Sequence, residues 1–462
     1  LKKKWLFIGL IILAAAALII GTWLYHKHQI KVAEEKLEKK IDQSVKQNPG
    51  IAFRKAHHKQ GDVQITTYIP LTKDKQDNKL VKKQMDTYIV QDLKALRSDK
   101  PRYYFYTFKE QSSAKNTDSF RIEKVSYERQ GTKLVQLKKR ELIQTLTLDQ
   151  TTNDLLTLQL IFKNSFYKKA AFKKIVAEAA IRTGKLRVAN GKDLAAIQFP
   201  NKAGAYDFHL TNEALILPVK IPHVKTVKKV TIPLKTIGYQ LKEKHLNKQY
   251  ARPEVPRISK KKTIALTFDD GPSSLYTPKI LDVLRKHHAK ATFFVLGSNV
   301  EKNPALVKRE MAEGHQVGNH SWDHPLLTKR PAKEVAQQIW GTQIAVYQAT
   351  GHFPAVVRPP YGGVDRQVAE VAGVPIVEWT IDTLDWKAKS GNSVTKAVLA
   401  NAGQGEIVLM HDIHGKTAAS LDKTLRVLKK RGYRFVTVNE LLGQELQSGC
   451  EYFSSYNHRT VK

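Results

Sequence analysis

The order of apolar and polar positions divides the chain into stretches of different rhythm. An uncharged run extends from Trp5 to Tyr25, bracketed by Lys2, Lys3 and Lys4 before it and by His26 and Lys27 after it. A run of that length crosses a hydrocarbon core of about 30 Å as one helix. Trp5, Trp23 and Tyr25 stand at its edges, where amphipathic rings favour the interface. Ala14 to Ala17 offer the small residues of a signal cleavage site, but Leu18, Ile19 and Ile20 continue the span. A retained transmembrane anchor over residues 1–28 is therefore expected rather than a cleaved signal. Ile30, Val32, Ala33, Leu37, Ile41 and Val45 then recur at helical spacing among charges, predicting a helical stalk over 29–50 that ends at Asn48-Pro49-Gly50. Over 51–250, strand-like segments (Val63 to Leu71, Lys133 to Leu137, Ala214 to Val219) mix with helix-like ones (Lys79 to Leu96, Phe166 to Thr183). That mixture predicts one or two α+β domains.

After the proline-bearing linker Gln249 to Arg257 the rhythm changes. Short apolar runs (IALTF, ATFFVLG, QVGNH, AVVRP, PIVEWTI, EIVLMH and YRFVTV) alternate with amphipathic stretches. Strands alternating with helices predict parallel βαβ units. Seven such strands in about 190 residues predict an α/β fold, a closed or nearly closed (β/α) barrel over 257–446. Residues 447–462 are left as a C-terminal tail.

Composition changes the picture in two ways. The chain has 462 residues, with Lys plus Arg at 77 against Asp plus Glu at 42, a net charge of +35. Such an excess predicts attraction to a polyanion. The anchor decides which one: with the basic N-terminus inside the cell, everything after residue 28 lies outside, so anionic wall polymers and lipid headgroups replace nucleic acid as partners. The single cysteine, Cys450, excludes both a disulfide framework and a cysteine zinc site, and reads as a tail residue without a role.

In a parallel barrel the loops that follow the strands open on one face, where catalysis gathers. The residues just after the apolar runs are Asp269 and Asp270, His320 and His324, Arg358 with Pro359, Pro360 and Tyr361, Asp382 with Asp385 and Trp386, and His411. Taken singly, an Asp-Asp pair is more often a cap, since short acids bond nearby N–H groups. Taken together, five strand ends deliver carboxylates, imidazoles and a guanidinium to one rim. Two histidines and a carboxylate leave positions open for water and substrate, the pattern of a catalytic metal site. His320, His324 and Asp270 are the expected ligands. Asp269 is the expected general base, held ionised by Arg358. His411 suits the general acid that protonates a leaving nitrogen, with Asp385 orienting its ring.

The segments TFDDGP (Thr267 to Pro272), HSWDH (His320 to His324), RPPYG (Arg358 to Gly362), DTLDW (Asp382 to Trp386) and LMH (Leu409 to His411) resemble, in order, the five motifs of the NodB-like polysaccharide deacetylases, carbohydrate esterase family 4. The layout of anchor, middle region and C-terminal domain is similar to streptococcal-type peptidoglycan N-acetylglucosamine deacetylases. The resemblance implies a distorted (β/α)7-type barrel, zinc as the metal with cobalt or another divalent ion as substitutes, and the ligand, base and acid roles just given. It also implies that the Tyr361 N–H serves the oxyanion, and that Trp386 and Leu409 wall an acetyl slot. Asp382 is either a turn cap or a support of its motif. His315 is expected in a turn, His414 on the rim and Asp323 as a local cap.

The implied activity is metal-dependent removal of the N-acetyl group from N-acetylglucosamine of peptidoglycan by an enzyme anchored on the cell membrane. The same chemistry on an exopolysaccharide, chitin oligomers or acetylxylan is the nearest alternative. A wall-binding scaffold with a dead enzyme domain and a DNA-binding membrane regulator are readings of other classes.

Overall fold

A computed structural model describes residues 2–48, 52–72, 74–95, 101–152, 155–163, 170–182, 207–220, 228–249, 262–443 and 446–461. The chain divides into two compact units, one of residues 1–161, 204–216 and 242–248, the other of 162–203, 217–241 and 249–462.

The first unit begins with one uninterrupted helix, α1 (Lys2–Lys46). Its first half carries exposed Leu10, Ile11, Ile12, Leu13, Leu18, Ile19, Ile20, Trp23 and Leu24, and it is long and apolar enough to cross a membrane. The stripe expected to lie on a stalk has a different surrounding. Leu37, Ile41 and Val45 are buried in the same cluster as Tyr68, Phe105, Phe108, Phe120 and Leu146. The helix end is thus part of the unit's core. Polar residues of that turn are matched too: Lys55 Nζ donates to Glu38 at 2.7 Å and Asp42 at 3.0 Å, and Tyr68 donates to Asp42 at 2.7 Å.

The partner surface is a six-stranded sheet of β1 (Phe53–Gln60), β2 (Val63–Pro70), β3 (Arg102–Gln111), β4 (Thr117–Gln130), β5 (Lys133–Gln136) and β6 (Glu141–Asp149). The order is β1-β2-β3-β4-β5 with β6 also on β4. Only β2 and β3 run parallel, joined by the crossover helix α2 (Lys79–Ala95), whose first turn is capped where Asn78 accepts from the Val81 N–H. Tyr103 and Phe105 face one cluster while Tyr104 and Tyr106 face another, so β3 is covered on both faces. The short pair β7 (His209–Leu210) and β8 (Ala214–Val219) follows. The strands expected from Val63, Lys133 and Ala214 correspond to β2, β5 and β8, and the helix expected from Lys79 to α2. Part of the helix expected from Phe166 lies outside the described residues, which begin again with the helix Ala170–Arg182 of the second unit.

The second unit contains β9 (Lys228–Pro233) and then a parallel array built from β10 (Thr263–Asp269), β11 (Thr292–Val295), β12 (Gln316–Asn319), β13 (Ile376–Val377), β14 (Ile381–Asp382), β15 (Ile407–His411) and β16 (Arg434–Phe435). The ladder order is β12-β11-β10-β15-β14, with β16 on the entry end of β10. Single parallel bridges carry the array onward from Asn319 to Val357 and from Val357 to Ile376. Every residue of β10 is buried, and Leu266, Phe268, Phe293, Val295, Val408 and Met410 share one core with Leu281, Leu284, Leu421 and Leu425 of the covering helices. An α/β fold with a curved parallel sheet, consistent with a distorted barrel, is therefore present.

Two details differ from the sequence expectation. PIVEWTI is two short strands, because the chain changes neighbours at Trp379: Val377 bonds to Val357, whereas Thr380 bonds to Ile407. Among the described residues no ladder joins β13 to β14. The C-terminal segment is not a tail. It forms the hairpin β17 (Cys450–Tyr452) and β18 (His458–Thr460), and β17 pairs in parallel with β13, burying Cys450 as an apolar side chain.

Candidate active site

The strand ends converge. Asp269 is the last residue of β10 and lies level with His411 on β15. Asp270 follows in the left-handed region with φ 73°, which swings its carboxylate away from the strand line. Its carbonyl accepts from Asn299 at 2.8 Å. The turn needs Gly271, since a Cβ there would lie 2.2 Å from Asp412 Oδ2. Asp270, Ser321, His324, Tyr361 and Leu384 are all non-glycine residues with positive φ on this rim. Strain concentrated in this way is a mark of a functional site.

His320 and His324 come just after β12. Asp270 Oδ1 lies 3.5 Å from His320 Nε2 and 3.4 Å from His324 Nε2. Ligand atoms at about 2.0–2.2 Å from one tetrahedral ion sit about 3.3–3.6 Å apart, so the spacing fits a shared divalent ion. The same Oδ1 is buried and takes part in no hydrogen bond. His320 Nδ1 lies 2.6 Å from the Arg358 carbonyl, which can only accept, so Nδ1 carries the proton and Nε2 keeps its lone pair. Burial pushes His320 down to about 3, so the ring stays neutral. Ser321 accepts from the His324 N–H at 3.1 Å, and Asn319 accepts from the Ser321 N–H at 2.9 Å, fixing the loop between the two rings. The set Asp270, His320 and His324 is a metal-binding triad whose donor chemistry and spacing fit a divalent ion.

Arg358 is fully buried. Its guanidinium donates to the carbonyls of Val377 (3.0 Å) and Glu378 (2.9 Å), to Thr267 Oγ1 (2.7 Å) and to Asp269 Oδ1 (2.8 Å), with Phe294 stacked 4.1 Å away. The pairing with Asp269 is as expected, but its consequence is not. Burial raises the Asp269 carboxyl above its ordinary value, and Arg358 and His411 offset this only in part. A base with a raised pKa accepts a proton more readily near neutral pH.

His411 Nδ1 lies 2.7 Å from Asp385 Oδ1, and the His411 N–H donates to Asp385 Oδ2 at 2.7 Å. Thr417 donates to the same carboxylate. Burial alone would push His411 down, but the Asp385 bond and the charges of Asp269, Asp385 and Asp270 raise it to about 9. Two imidazoles on one rim are therefore driven in opposite directions, one neutral and one cationic.

The other expected residues are distributed around this centre. Tyr361 is exposed, with its ring edge-on to His324 at 4.6 Å. The turn's own bonds come from the Gly362 and Gly363 N–H groups to Pro359 and Pro360, and the Tyr361 N–H takes no part in them. Trp386 is exposed, and Leu409 is buried level with Thr267 on β10. Asp382 accepts from the Leu384 N–H at 2.8 Å, the cap of the following turn. His414 stacks edge-on to His411 at 5.8 Å. His315 closes the Glu313–Gly314 turn through its N–H to Glu310 and is buried there, accepting from the Ala291 N–H at 3.2 Å. Asp323 accepts from Gln338 Nε2 at 2.7 Å, an inter-element bond instead of a local cap.

Sequence reasoning missed Asp412, Glu378, Thr267 and Thr417. Asp412 is buried behind the Asp269–Asp270 turn, where burial raises its carboxyl to about 7. Its place directly after His411 was the only available signal. Glu378 is buried with both carboxyl oxygens unpartnered. Thr267 and Thr417 read as ordinary β-branched residues until the fold brings their hydroxyls to Arg358 and Asp385.

Residues 257–374 match the polysaccharide deacetylase family, and residues 35–252 match the peptidoglycan GlcNAc deacetylase N-terminal domain. Over 466 aligned positions, all of both chains, the sequence is 44% identical to the peptidoglycan-N-acetylglucosamine deacetylase PgdA of Listeria monocytogenes (strain EGD-e). The chain belongs to the PgdA-type polysaccharide deacetylases. A further relative, the peptidoglycan-N-acetylmuramic acid deacetylase PdaC of Bacillus subtilis, is 43% identical over 180 residues, 39% of this chain and 38% of that one. The solved structure of PdaC is 42% identical over 39% of this chain and 90% of that chain, with a TM-score of 0.39. As a PgdA-type deacetylase with this metal-binding triad, the chain is a hydrolase of carbon–nitrogen bonds acting on peptidoglycan-type substrate.

Proposed function

We propose that the enzyme removes the N-acetyl group from N-acetylglucosamine in peptidoglycan, releasing acetate and leaving a free amine on the glycan. The observation that carries this reading is the placement of a metal-type set, Asp270, His320 and His324, beside two charge-tuned pairs, Asp269 with Arg358 and His411 with Asp385. A divalent ion, for which zinc is our choice, would polarise the acetyl carbonyl and acidify a water. Asp269 takes the proton from that attacking water, and Arg358 keeps the carboxylate aimed at it. The Tyr361 N–H donates to the oxygen on which negative charge develops. His411, cationic at neutral pH, gives its proton to the departing sugar nitrogen, so amide plus water yields amine plus acetate. Trp386 and Leu409 line the side that receives the acetyl methyl group.

The choice of N-acetylglucosamine is supported by the full-length relative, which carries that name and shares both the N-terminal and catalytic regions. N-acetylmuramic acid is the second reading, because PdaC is named for that sugar and matches over much of the catalytic unit. Muropeptide mass analysis of cells with and without the protein tests both, since fragment masses show which sugar has lost its acetyl group. Unchanged acetylation of both sugars would sink the peptidoglycan reading, and acetate release from exopolysaccharide, chitin oligomers or acetylxylan would then find the substrate.

The apolar half of α1 supports single-pass anchoring, and Lys2, Lys3 and Lys4 support an N-terminus inside the cell. The net charge of +35 then holds the enzyme against anionic wall polymers. Free amines on the glycan make it a poorer substrate for lysozyme-type hydrolases. Protease shaving of intact cells tests the orientation: protection of the catalytic unit would overturn it.

A further inference from the structure

We infer that the C-terminal hairpin β17–β18 is a positioning element of the active site, and that its Glu451–Arg459 pair keeps Arg358 aimed at Asp269. The inference rests on the reading of Asp269 as the base given above.

The argument starts from how little holds β13. It is two residues long, and toward the rest of the array it has one bridge, Val357 to Ile376. Yet the carbonyls of Val377 and Glu378 at its end are two of the four acceptors that orient the buried Arg358 guanidinium. The other edge of β13 is held by β17, through the registers Ile376 to Glu451 and Val377 to Tyr452. The Glu378 N–H donates to the Tyr452 carbonyl at 2.8 Å. One continuous line of hydrogen bonds therefore runs from Tyr452 through Glu378 and Arg358 to Asp269.

The hairpin is itself fixed at a second place. Ser454 bridges Glu406, the Ser455 N–H donates to Gly405 at 2.9 Å, and the Tyr456 hydroxyl bonds Glu406, all at the entry to β15. It thus ties β13 to the strand that carries His411.

Electrostatics give the ion pair its importance. Glu451 is buried and accepts from Arg459 Nε at 2.6 Å. Glu378 is buried beside it with neither carboxyl oxygen bonded, and Gly362 of the Tyr361 turn lies against it: a Cβ added there would stand 3.5 Å from Glu378 Oε2. Burial raises the Glu378 carboxyl well above its ordinary value, Glu451 and Asp269 add to this, and Arg358 and Arg459 offset it only in part, so Glu378 is held as the neutral acid. Removing the Arg459 charge leaves the Glu451 carboxylate buried without its partner, which is costly. β17 shifts to bring Glu451 toward water, and the end of β13 and the Arg358 acceptors move with it.

The test compares the full chain with Arg459→Ala, with Arg459→Lys, and with a chain ending at Gly449. Displacements of the order of an ångström cost up to about 100-fold, so kcat should fall about tenfold in Arg459→Ala and about 100-fold in the shortened chain. KM and bound metal should stay unchanged, because Asp270, His320 and His324 sit on other strands. The acid limb of the kcat profile should move to higher pH as Asp269 loses the nearby guanidinium, and Arg459→Lys should restore most of the rate. The Arg358 guanidinium protons, buried and bonded to four acceptors, should exchange slowly by NMR in the full chain and fast in both damaged variants. A shortened, folded, metal-loaded chain with the parent kcat, acid limb and slow protons overturns the inference. If the shortened chain does not fold, Arg459→Ala decides alone, since that side chain is largely exposed. If the parent releases no acetate from any glycan, the function proposal fails, while the proton measurement still judges the hairpin.

Discussion

The two units differ in how they treat buried acids. In the first, each buried acid faces a cation: Glu123 meets Arg121 at 3.1 Å and Arg140 at 3.4 Å, Glu128 meets Arg102 at 3.7 Å, and Asp149 meets Lys244 at 2.9 Å. Its buried unpartnered histidine, His245, is kept neutral, with burial pushing it down to about 4. In the second unit, Asp270 Oδ1, Asp412 Oδ1 and both oxygens of Glu310 and Glu378 are buried without a hydrogen bond. Buried polar groups are costly unless they are partnered, so a fold that keeps several such acids together has been shaped by something other than stability. Both units leave some buried groups unpartnered, but among the described residues only the second leaves carboxyl oxygens so.

The largest effect that separates the two is loss of the ligand set. His320→Ala should abolish bound metal and lower kcat/KM by about 10⁴-fold or more, read by metal analysis beside acetate release, with the first unit melting as before. Asp269→Asn comes next, with about a 10³-fold loss in kcat. Bound metal should be retained, because Asp269 is not in the ligand set. Asp385→Asn should cost about 10²-fold and move the basic limb of the pH–rate profile. His411 must be protonated to act, so activity falls as pH rises through its value of about 9. Without Asp385 that value drops, and the limb moves to lower pH. An unmoved limb would remove His411 from the acid role.

The smaller effects fall on the first unit and on stability. Ile41→Ala empties a place in its core and should cost about 3 kcal/mol in a denaturant melt, leaving kcat within about twofold. Asp149 is smaller still. Burial raises its carboxyl, but the Lys244 and the Thr151 and Thr152 N–H bonds outweigh this and bring it to about 2. A folded value below the ordinary one gives stability that is complete above pH 4 and fades as pH falls through about 2. Asp149→Asn should therefore lose about 1–2 kcal/mol at neutral pH, with the difference from the parent shrinking in acid.

Much of the second unit was legible because its strands are short, fully apolar and separated by amphipathic stretches, and because chemistry-bearing residues stand just after them. IALTF, QVGNH and EIVLMH announce β10, β12 and β15 in this way, and Asp270, His320 and His324 do meet. The hairpin Cys450–Thr460 was not legible: a strand whose main function is to pair with another edge needs no apolar run, and CEYFSSYNHRT has none. The same limit applies to Glu310 within PALVKREMAEG, which reads as a solvated helix residue and is in fact buried within electrostatic reach of Asp412. Burial of a single polar residue depends on what the fold lays over it. The stripe Leu37, Ile41 and Val45 was visible from periodicity, but only the sheet supplies its destination.

Helix α1 runs without a break from the apolar half into the core of the first unit. At about 1.5 Å per residue its 45 residues make a rod of about 68 Å. With its apolar half in a bilayer, as proposed above, such a rod would be an axle more than a leash: any roll of the helix would turn the sheet by the same angle. Inserting one residue near His28 would reorient the unit by about 100° relative to the apolar side chains of the first half, and four residues would nearly restore the original heading.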